Sequence, residues 1–514
     1  MSCVLKQLKL ISNRMPGDTV SLSSGEYRFS YNDLLHQLKL RISWLRELES
    51  RIVALHSGNS AEWVFIDLGC RELGLVFIPL PAFFTAKQIQ GCLSRAGVDT
   101  LLSDKPEISG LIDNQSSELH FERLASINSI YAWRNSNPQG VNLPSGTQKI
   151  TFTSGSTGSP KGVCLSAEHQ WRVAQSLADA IGIRHPKHLC LLPLSTLLEN
   201  IAGVYTPLLC GGEVVIPSDH ERGMLGSSGI DEQALLSCIN RTKPHSLILV
   251  PQLLTLLVQA CIKGWQSPET IKFIAVGGGK VSPQLIQQAR QLSLPVYQGY
   301  GLSECGSVVA LNTATDDCLD SVGQVLPHCE VAIENNEVVV RGSTHLGYMD
   351  DPSSWDPEKI HTGDVGRLQK GFLCVDGRKK NILITSFGRN VSPEWVESVL
   401  LAKPLLSHCV VLGDAKPFLA ALVTAPMSVE DDVIAGWVDA CNETLPDYAR
   451  IGGWLRPTDS KLQPYITANG RPRREEIAEV FYSELERLYE NGAFAFPAGR
   501  DGLMKKKGAL SWHQ

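Results

Sequence analysis

The sequence predicts an α/β fold with a large N-terminal part, a β-rich stretch behind it and a smaller unit of mixed strands and helices at the end. Three observations carry this. Short apolar runs alternate with helical patterns through the first 150 residues and again from Leu247 to Leu292, the rhythm of βαβ units. From Asp316 to Gly371 the pattern changes to short strands separated by Gly, Asp and Pro, and after Gly377 it changes once more. At 514 residues the chain exceeds the size at which single cores stop growing, so two or more domains are expected.

Taken in order, Arg51–His56 reads as a strand and Ala61–Cys70 as the helix behind it. Gln148–Phe152 is a β-type run. Leu247–Val250 precedes a helical stretch from Gln252 to Lys263, and Ile271–Val276 precedes another from Pro283 to Leu292. A parallel sheet is the economical interpretation. Ligands of such sheets sit beyond the carboxyl ends of the strands, where two glycine-rich loops follow apolar runs here, Gly277-Gly278-Gly279 and Gly299-Tyr300-Gly301. Glu337–Arg341 is a strand of the β-rich subdomain. Cys409–Thr424 reads as two strands around a turn and Val429–Asn442 as a helix.

Composition sets bounds on function. The chain is 43% hydrophobic and 19% charged with a net charge of −6, a balance that favours no nucleic-acid partner. Positive charge is gathered locally at Lys161, Arg378 and the run Arg471-Pro-Arg-Arg474. Fourteen cysteines are scattered without a C-x-x-C pair, which reads as reduced thiols in a cytoplasmic protein. The first ten residues lack a signal-peptide h-region, and the longest apolar stretch, Leu247–Ile262, is too short to span a bilayer. It is expected to be a buried strand leading into a core helix.

The segment Thr151-Phe-Thr-Ser-Gly-Ser-Thr-Gly-Ser-Pro-Lys-Gly-Val163 concentrates phosphate-binding chemistry. Gly155 and Gly158 let backbone N–H groups turn toward an anion, Ser154, Ser156 and Thr157 add hydroxyl donors, and Lys161 supplies charge. The spacing does not fit G-x-x-x-x-G-K-[ST], so this is not the P-loop of kinases and GTPases. By itself such a cluster is equally a flexible surface loop.

Thr153–Gly162 resembles the signature loop of the adenylate-forming superfamily, which includes acyl- and aryl-CoA synthetases. Further matches follow in that family's order: Gln298-Gly-Tyr-Gly-Leu-Ser-Glu304, His361-Thr-Gly-Asp364 and the hinge motif Gly377-Arg-Lys-Lys-Asn381. The resemblance spans about residues 25 to 477. It implies a large domain over residues 1–379, a small mobile α+β domain over 380–490 and a solvated tail over 491–514. It also implies ATP-dependent activation of a carboxylic acid to acyl-AMP with pyrophosphate release, then transfer to the thiol of CoA or of a carrier protein's phosphopantetheine. ATP, Mg²⁺ and that thiol are the expected cofactors.

Site roles follow from the same resemblance. Thr153 to Gly158 and Lys161 are expected to hold the phosphates, and Glu304 with Thr153 to hold Mg²⁺. Gly277 to Gly279, Tyr300, Gly301 and Ser303 would line the adenine and acyl-carbonyl region, and Asp364 and Arg378 would bind the ribose hydroxyls. Lys380 is the expected hinge. Gly388 would approach the pantetheine arm, in a tunnel that the neighbouring Phe387 narrows.

Two departures stand out. In Ile466-Thr-Ala-Asn-Gly-Arg-Pro-Arg-Arg474, Arg471 occupies the position of the family's catalytic lysine, a change of shape with charge retained. Four outcomes stay open: slowed adenylation, substitution by Arg473, a modified geometry at Arg471, or a protein specialised toward a half-reaction or toward nucleotide and acyl binding. Leu191-Leu-Pro-Leu-Ser-Thr-Leu-Leu-Glu-Asn200 resembles the L-P-L-x-H-x-x-E-R form of long-chain acyl-CoA synthetases. Glu199 matches, Asn200 replaces arginine, and Thr196 stands at the histidine position as a catalytic candidate. No aspartate is recognisable that would meet an amino-acid ammonium group, which favours a fatty or other apolar acid.

Overall fold

Apolar runs of four or five residues cannot cover both of their own faces, and here they are covered by lying side by side in sheets with helices packed against them. The computed structural model describes residues 4–82, 84–109, 111–112, 119–153, 161–225, 229–386, 389–403, 405–467 and 470–490. Ser154, Gly155, Ser156, Thr157 and Gly158 of the glycine-rich loop, Phe387, Gly388 and the tail 491–514 lie outside the described residues.

Two large sheets form, where one parallel sheet was the economical expectation. In the first, Lys149–Thr153, Val76–Leu80, Ile52–His56 and Thr100–Ser103 run parallel, and Lys161–Leu165 and Ile130–Asn135 flank them antiparallel. In the second, six parallel strands from Val20–Ser24 to Val296–Tyr300 continue into antiparallel hairpins. The antiparallel flank at Lys161–Leu165 follows from connection length. The short link from Thr153 to Lys161 has no room for a crossover helix, so the chain must return as a hairpin.

The helices that cover these sheets carry their own boundary signals. Ser60 caps Ala61–Leu73 by accepting the N–H of Trp63, and Gly74 closes it in the left-handed region at φ +71°. The helix buries Trp63, Val64, Phe65 and Ile66. Each such side chain contributes about 1.5–3 kcal/mol by leaving water. Ser30 and Asp33 form a capping box at the start of Tyr31–Glu47, which packs beside it.

The β-rich stretch is as expected, with Cys329–Glu334, Glu337–Gly342, Ile360–Gln369 and Phe372–Arg378 joined antiparallel. The expected two strands around a turn are the hairpin His408–Leu412 and Leu419–Thr424, and Ile451–Leu455 pairs parallel to its second strand. The predicted helix over 429–442 runs Asp431–Thr444. Two apolar clusters, one around Val411, Val423 and Ile434 and one around Leu422, Ile477 and Leu485, draw only on residues from Leu383 onward. This C-terminal unit therefore has a core of its own. Leu247–Ile262 splits as expected into the strand Ser246–Leu249 and the helix Pro251–Ile262. Among the described residues no helix is long and apolar enough to cross a membrane.

Candidate active site

A cleft of about 3610 Å³ runs along the carboxyl ends of the parallel strands. Phe273–Val276 and Val296–Tyr300 are neighbours in the second sheet, with Val276 opposite Gln298. Their trailing loops, Gly277–Gly279 and Gly301–Glu304, both line the cleft. Gly278 is left-handed at φ +80°, and at Gly301 a Cβ would fall 1.6 Å from the Ser307 carbonyl oxygen. No other residue fits position 301, because the backbone there crosses another backbone in contact.

Asp364 is a cleft carboxylate anchored on both of its oxygens. It lies opposite Arg378 in the hairpin Ile360–Gln369/Phe372–Arg378, and Arg378 Nε is 2.9 Å from its Oδ1. The Tyr300 hydroxyl donates to Oδ2 at 2.6 Å. Burial raises the Asp364 pKa, and Arg378 and the Tyr300 hydrogen bond oppose that rise. The same burial, with the Asp364 charge next to it, holds the Tyr300 phenol far above its ordinary range.

On the opposite wall, Thr153 and Lys161 face each other at the base of the hairpin that carries the glycine-rich loop. Lys161 Nζ lies 5.3 Å from the centre of the Tyr348 ring. The Tyr348 hydroxyl donates to Glu304 Oε1 at 2.9 Å. Tyr348 thus joins the two charged residues, and sequence reasoning missed it. The signal available was Gly347-Tyr348, whose strand pairs with Lys161–Leu165. The Glu304 backbone carbonyl accepts the N–H of His345 at 2.6 Å, which fixes the turn Ser303–Cys305.

The loop carrying Arg471 reaches the cleft from the C-terminal unit. Thr467 ties it, its N–H donating to the Arg471 carbonyl at 2.8 Å and its hydroxyl accepting the Arg471 N–H at 3.0 Å. A Cβ on Gly470 would lie 2.9 Å from Gln252 Nε2 of the large domain. Arg471 keeps accessible surface toward the cleft yet is crowded by protein on several sides. That crowding, then the neighbouring Arg378, lowers its pKa, while Asp364, Glu304 and Glu394 oppose the fall. Arg473 also lines the cleft, where it pairs with Glu476 at 3.4 Å. Arg474 is ion-paired with Glu397 and Glu394.

The remaining candidates are placed as follows. Lys380 is exposed in the turn after Phe372–Arg378, and the Lys379 N–H donates to the Gly363 carbonyl at 2.8 Å. Thr196 lines the cleft, its hydroxyl donating to the Pro193 carbonyl at 2.6 Å. Asn200 turns into the core instead, where it bridges Lys149 and Asp67 in a buried network with Tyr205. Lys149 brings a cation to the residue that stands in place of arginine, a link invisible in the local motif. The wall between Thr196 and the glycine loops is apolar, with Leu198, Ala202, Ile248, Val250, Ala275 and Val308.

Comparison with known proteins agrees with this geometry. The pattern describing AMP-binding enzymes matches residues 11–348, and that for the AMP-binding enzyme C-terminal domain matches residues 380–493. The chain belongs to the AMP-binding enzyme family, a family of AMP-forming acid–thiol ligases. It is 27% identical to 2-succinylbenzoate–CoA ligase of Bacillus subtilis over 76% of this chain and 80% of that protein. Long-chain-fatty-acid–CoA ligase FadD15 of Mycobacterium bovis is 24% identical over 85% of this chain and 88% of that one. Among solved structures, the anthranilate CoA ligase AuaEII in complex with anthranoyl-AMP superposes with a TM-score of 0.75 at 18% identity, covering 92% of this chain and 96% of that one. The Bacillus subtilis O-succinylbenzoate coenzyme A synthetase with AMP gives 0.72 at 24%, covering 92% and 97%. Those two likenesses establish the fold.

Proposed function

We propose that this protein activates a fatty or other apolar carboxylic acid with ATP and Mg²⁺ and passes the acyl group to the thiol of CoA or of a carrier protein's phosphopantetheine. The observation that carries the reading is the convergence of Arg471, Glu304, Asp364 and Arg378 on one cleft from both domains. In the first step a carboxylate oxygen attacks the α-phosphorus, a C–O–P linkage forms, and the bond to the β-phosphate oxygen breaks, releasing pyrophosphate. No enzyme nucleophile is needed; the task is alignment and charge compensation.

Asp364 and Arg378 would hold the ribose hydroxyls, and Tyr300 would present its ring to adenine while its hydroxyl orients Asp364. Lys161, Thr153 and the loop 154–158 would hold the β- and γ-phosphates. The Glu304 carboxylate and the Thr153 hydroxyl are hard oxygen donors that fit Mg²⁺, which when bound offsets polyphosphate charge. Arg471, with Asp364 and Glu304 as charged neighbours, would compensate charge that develops on the reacting carboxylate and the α-phosphate. Arg473 is paired with Glu476, whereas Arg471 has Asp364, Glu304 and Arg378 as its charged neighbours, so Arg471 rather than Arg473 takes the lysine's place in this reading.

For the second step we propose a division at Lys380, with residues 380–490 turning about it so that the thiol arm can enter. The apolar wall from Leu198 to Val308 supports an apolar acid, although the ligases most like this chain include one named for 2-succinylbenzoate and one for long-chain fatty acids. ATP and CoA as co-substrates, together with the free thiols of the described cysteines, fit the cytoplasm. The test follows pyrophosphate release from ATP over a panel of fatty, aryl and amino acids, with and without CoA. Acid-dependent release that favours apolar acids supports the proposal. Calorimetric binding of ATP or acyl-adenylate with no release for any acid would make the chain a binding protein.

A further inference from the structure

Beneath the apolar wall, Glu199 sits with no exposed surface at the start of the π-helical segment Glu199–Tyr205. A carboxylate so deep needs a compensating partner, since burying an unpaired charge costs several kcal/mol. Its Oε1 lies 3.2 Å from His188 Nε2, and its Oε2 has no hydrogen-bond partner. The Cys190 thiol completes a trio whose ligand atoms all lie within 4.8 Å of one another, and all three residues are buried. The buried cation near this trio, Arg222, is spent on Asp219 and on the Leu191 carbonyl.

We propose that His188 Nε2, Cys190 Sγ and a Glu199 carboxylate oxygen form a binding site for one zinc-class divalent cation, fastening the end of the strand Lys187–Leu189 to the π-helical segment Glu199–Tyr205. Imidazole, thiolate and carboxylate together are the borderline set that such ions take, and bonds of about 2.0–2.3 Å in a tetrahedron separate ligand atoms by roughly 3.3–3.7 Å. The 3.2 Å between His188 and Glu199 is close to that spacing. Ser246 Oγ, 2.9 Å from His188 Nδ1, orients the ring so that Nε2 faces Glu199. On binding, Cys190 loses its proton to solvent. The thiolate and the carboxylate then neutralise the two charges of the ion, and the orphaned oxygen gains a ligand or lies beside one.

Gly203 packs directly against the trio, and its carbonyl accepts the Cys190 thiol at 3.7 Å. A Cβ there would stand 2.7 Å from Glu199 Oε1 and 2.8 Å from His188 Nε2. Entry is from the cleft, which His188, Ala202, Thr206 and Ser246 line. The assignment stands apart from Glu304 and Mg²⁺, and it does not depend on which acid is activated.

The full chain, purified with chelator and then titrated with Co²⁺ and Zn²⁺, tests this without an activity assay. Expected are one equivalent bound, a thiolate-to-cobalt charge-transfer band, and a rise in Tm with Zn²⁺ that an equal concentration of Mg²⁺ does not give. Cys190→Ser, nearly isosteric, should remove the band, and His188→Ala should weaken binding by roughly a hundredfold or more. Gly203→Ala should also abolish binding while leaving the three ligands in the chain. Circular dichroism confirms that each variant is folded, and a variant that fails this check is replaced by the wild-type competition of Zn²⁺ against the cobalt band. Substoichiometric metal on the wild-type chain, or a band that survives Cys190→Ser, overturns the proposal.

Discussion

The two domains furnish the cleft in different ways. On the large domain, Asp364 is held from both sides, by Arg378 at 2.9 Å across a hairpin whose register sets the two opposite each other, and by Tyr300 at 2.6 Å from the strand Val296–Tyr300. On the small domain, Arg471 is presented by a tight turn closed through Thr467, and it faces several charges at once rather than one partner. The first arrangement suits holding a ground state, since its hydrogen bonds exist before any ligand arrives. The second suits stabilising charge that appears only during reaction, because interactions stronger in the transition state than in the ground state are the ones that raise the rate.

The largest effect should come from breaking the small domain's contribution. Arg471→Ala is expected to slow acyl-adenylate formation by about 10²–10³-fold, the scale of losing one preorganised donor to developing charge. Thioester formation from supplied acyl-adenylate should persist, and separate rapid-mixing assays of the two steps would show it. Arg471→Lys should raise the first rate, because an ammonium is a compact charge that can reach between carboxylate and α-phosphate. An alanine variant as fast as the parent would reduce Arg471 to a loop residue.

Next in size are the phosphate-wall residues. Lys161→Ala and Glu304→Ala should each cost roughly ten- to a hundredfold in kcat/KM for ATP, the worth of one charge-assisted contact. Tyr348→Phe should cost less, about five- to tenfold, because it removes one neutral donor to Glu304 and keeps the ring beneath Lys161. An effect larger than that of Glu304→Ala would mean that Tyr348 touches the nucleotide itself.

The large domain's carboxylate gives a pH signature. Folding raises the Asp364 pKa, so its proton returns at a higher pH than in an ordinary aspartate. If the ionised form accepts the ribose hydroxyls, as proposed, kcat/KM for ATP should fall as pH drops through that raised value, and Asp364→Asn should flatten this acid limb while weakening ATP binding. Stability carries the opposite sign: a carboxyl whose pKa is raised binds protons more tightly when folded, so acidification through this range relieves a local cost. The smallest effect should be that of Arg473→Ala, within about twofold for either step, because its partner Glu476 lies on the surface.

Local chemistry was legible in the sequence where it depended on neighbours along the chain. The strand before the glycine-rich loop, the helices after Gly277–Gly279 and after Leu249, and the hairpin around residue 415 were read within two or three residues, because apolar periodicity and turn residues decide them. What escaped was set by chain return. The hairpin from Thr153 to Lys161 makes one flank of the first sheet antiparallel, and the strand Gly347–Tyr348 that pairs with it brings Tyr348, almost two hundred residues away, to Lys161. Likewise Glu199, which reads as part of a substrate motif, is turned inward by the π-helical segment onto His188 and Cys190. No local pattern announces a contact made by a strand eleven residues earlier.

The turn around Lys380 has one further consequence. The last bonds before it, Arg378 to Asp364 and the Lys379 N–H to the Gly363 carbonyl, belong to the hairpin that is to carry the ribose. If the small domain turns there, as proposed, the axle has its bearing inside the proposed nucleotide site. Torque on the small domain would then be taken up first by the residues proposed to grip the sugar, so an empty site would leave the bearing loose and a filled one would tighten it. Amide exchange at residues 379–382 should slow on addition of AMP even though no atom of the nucleotide need touch them.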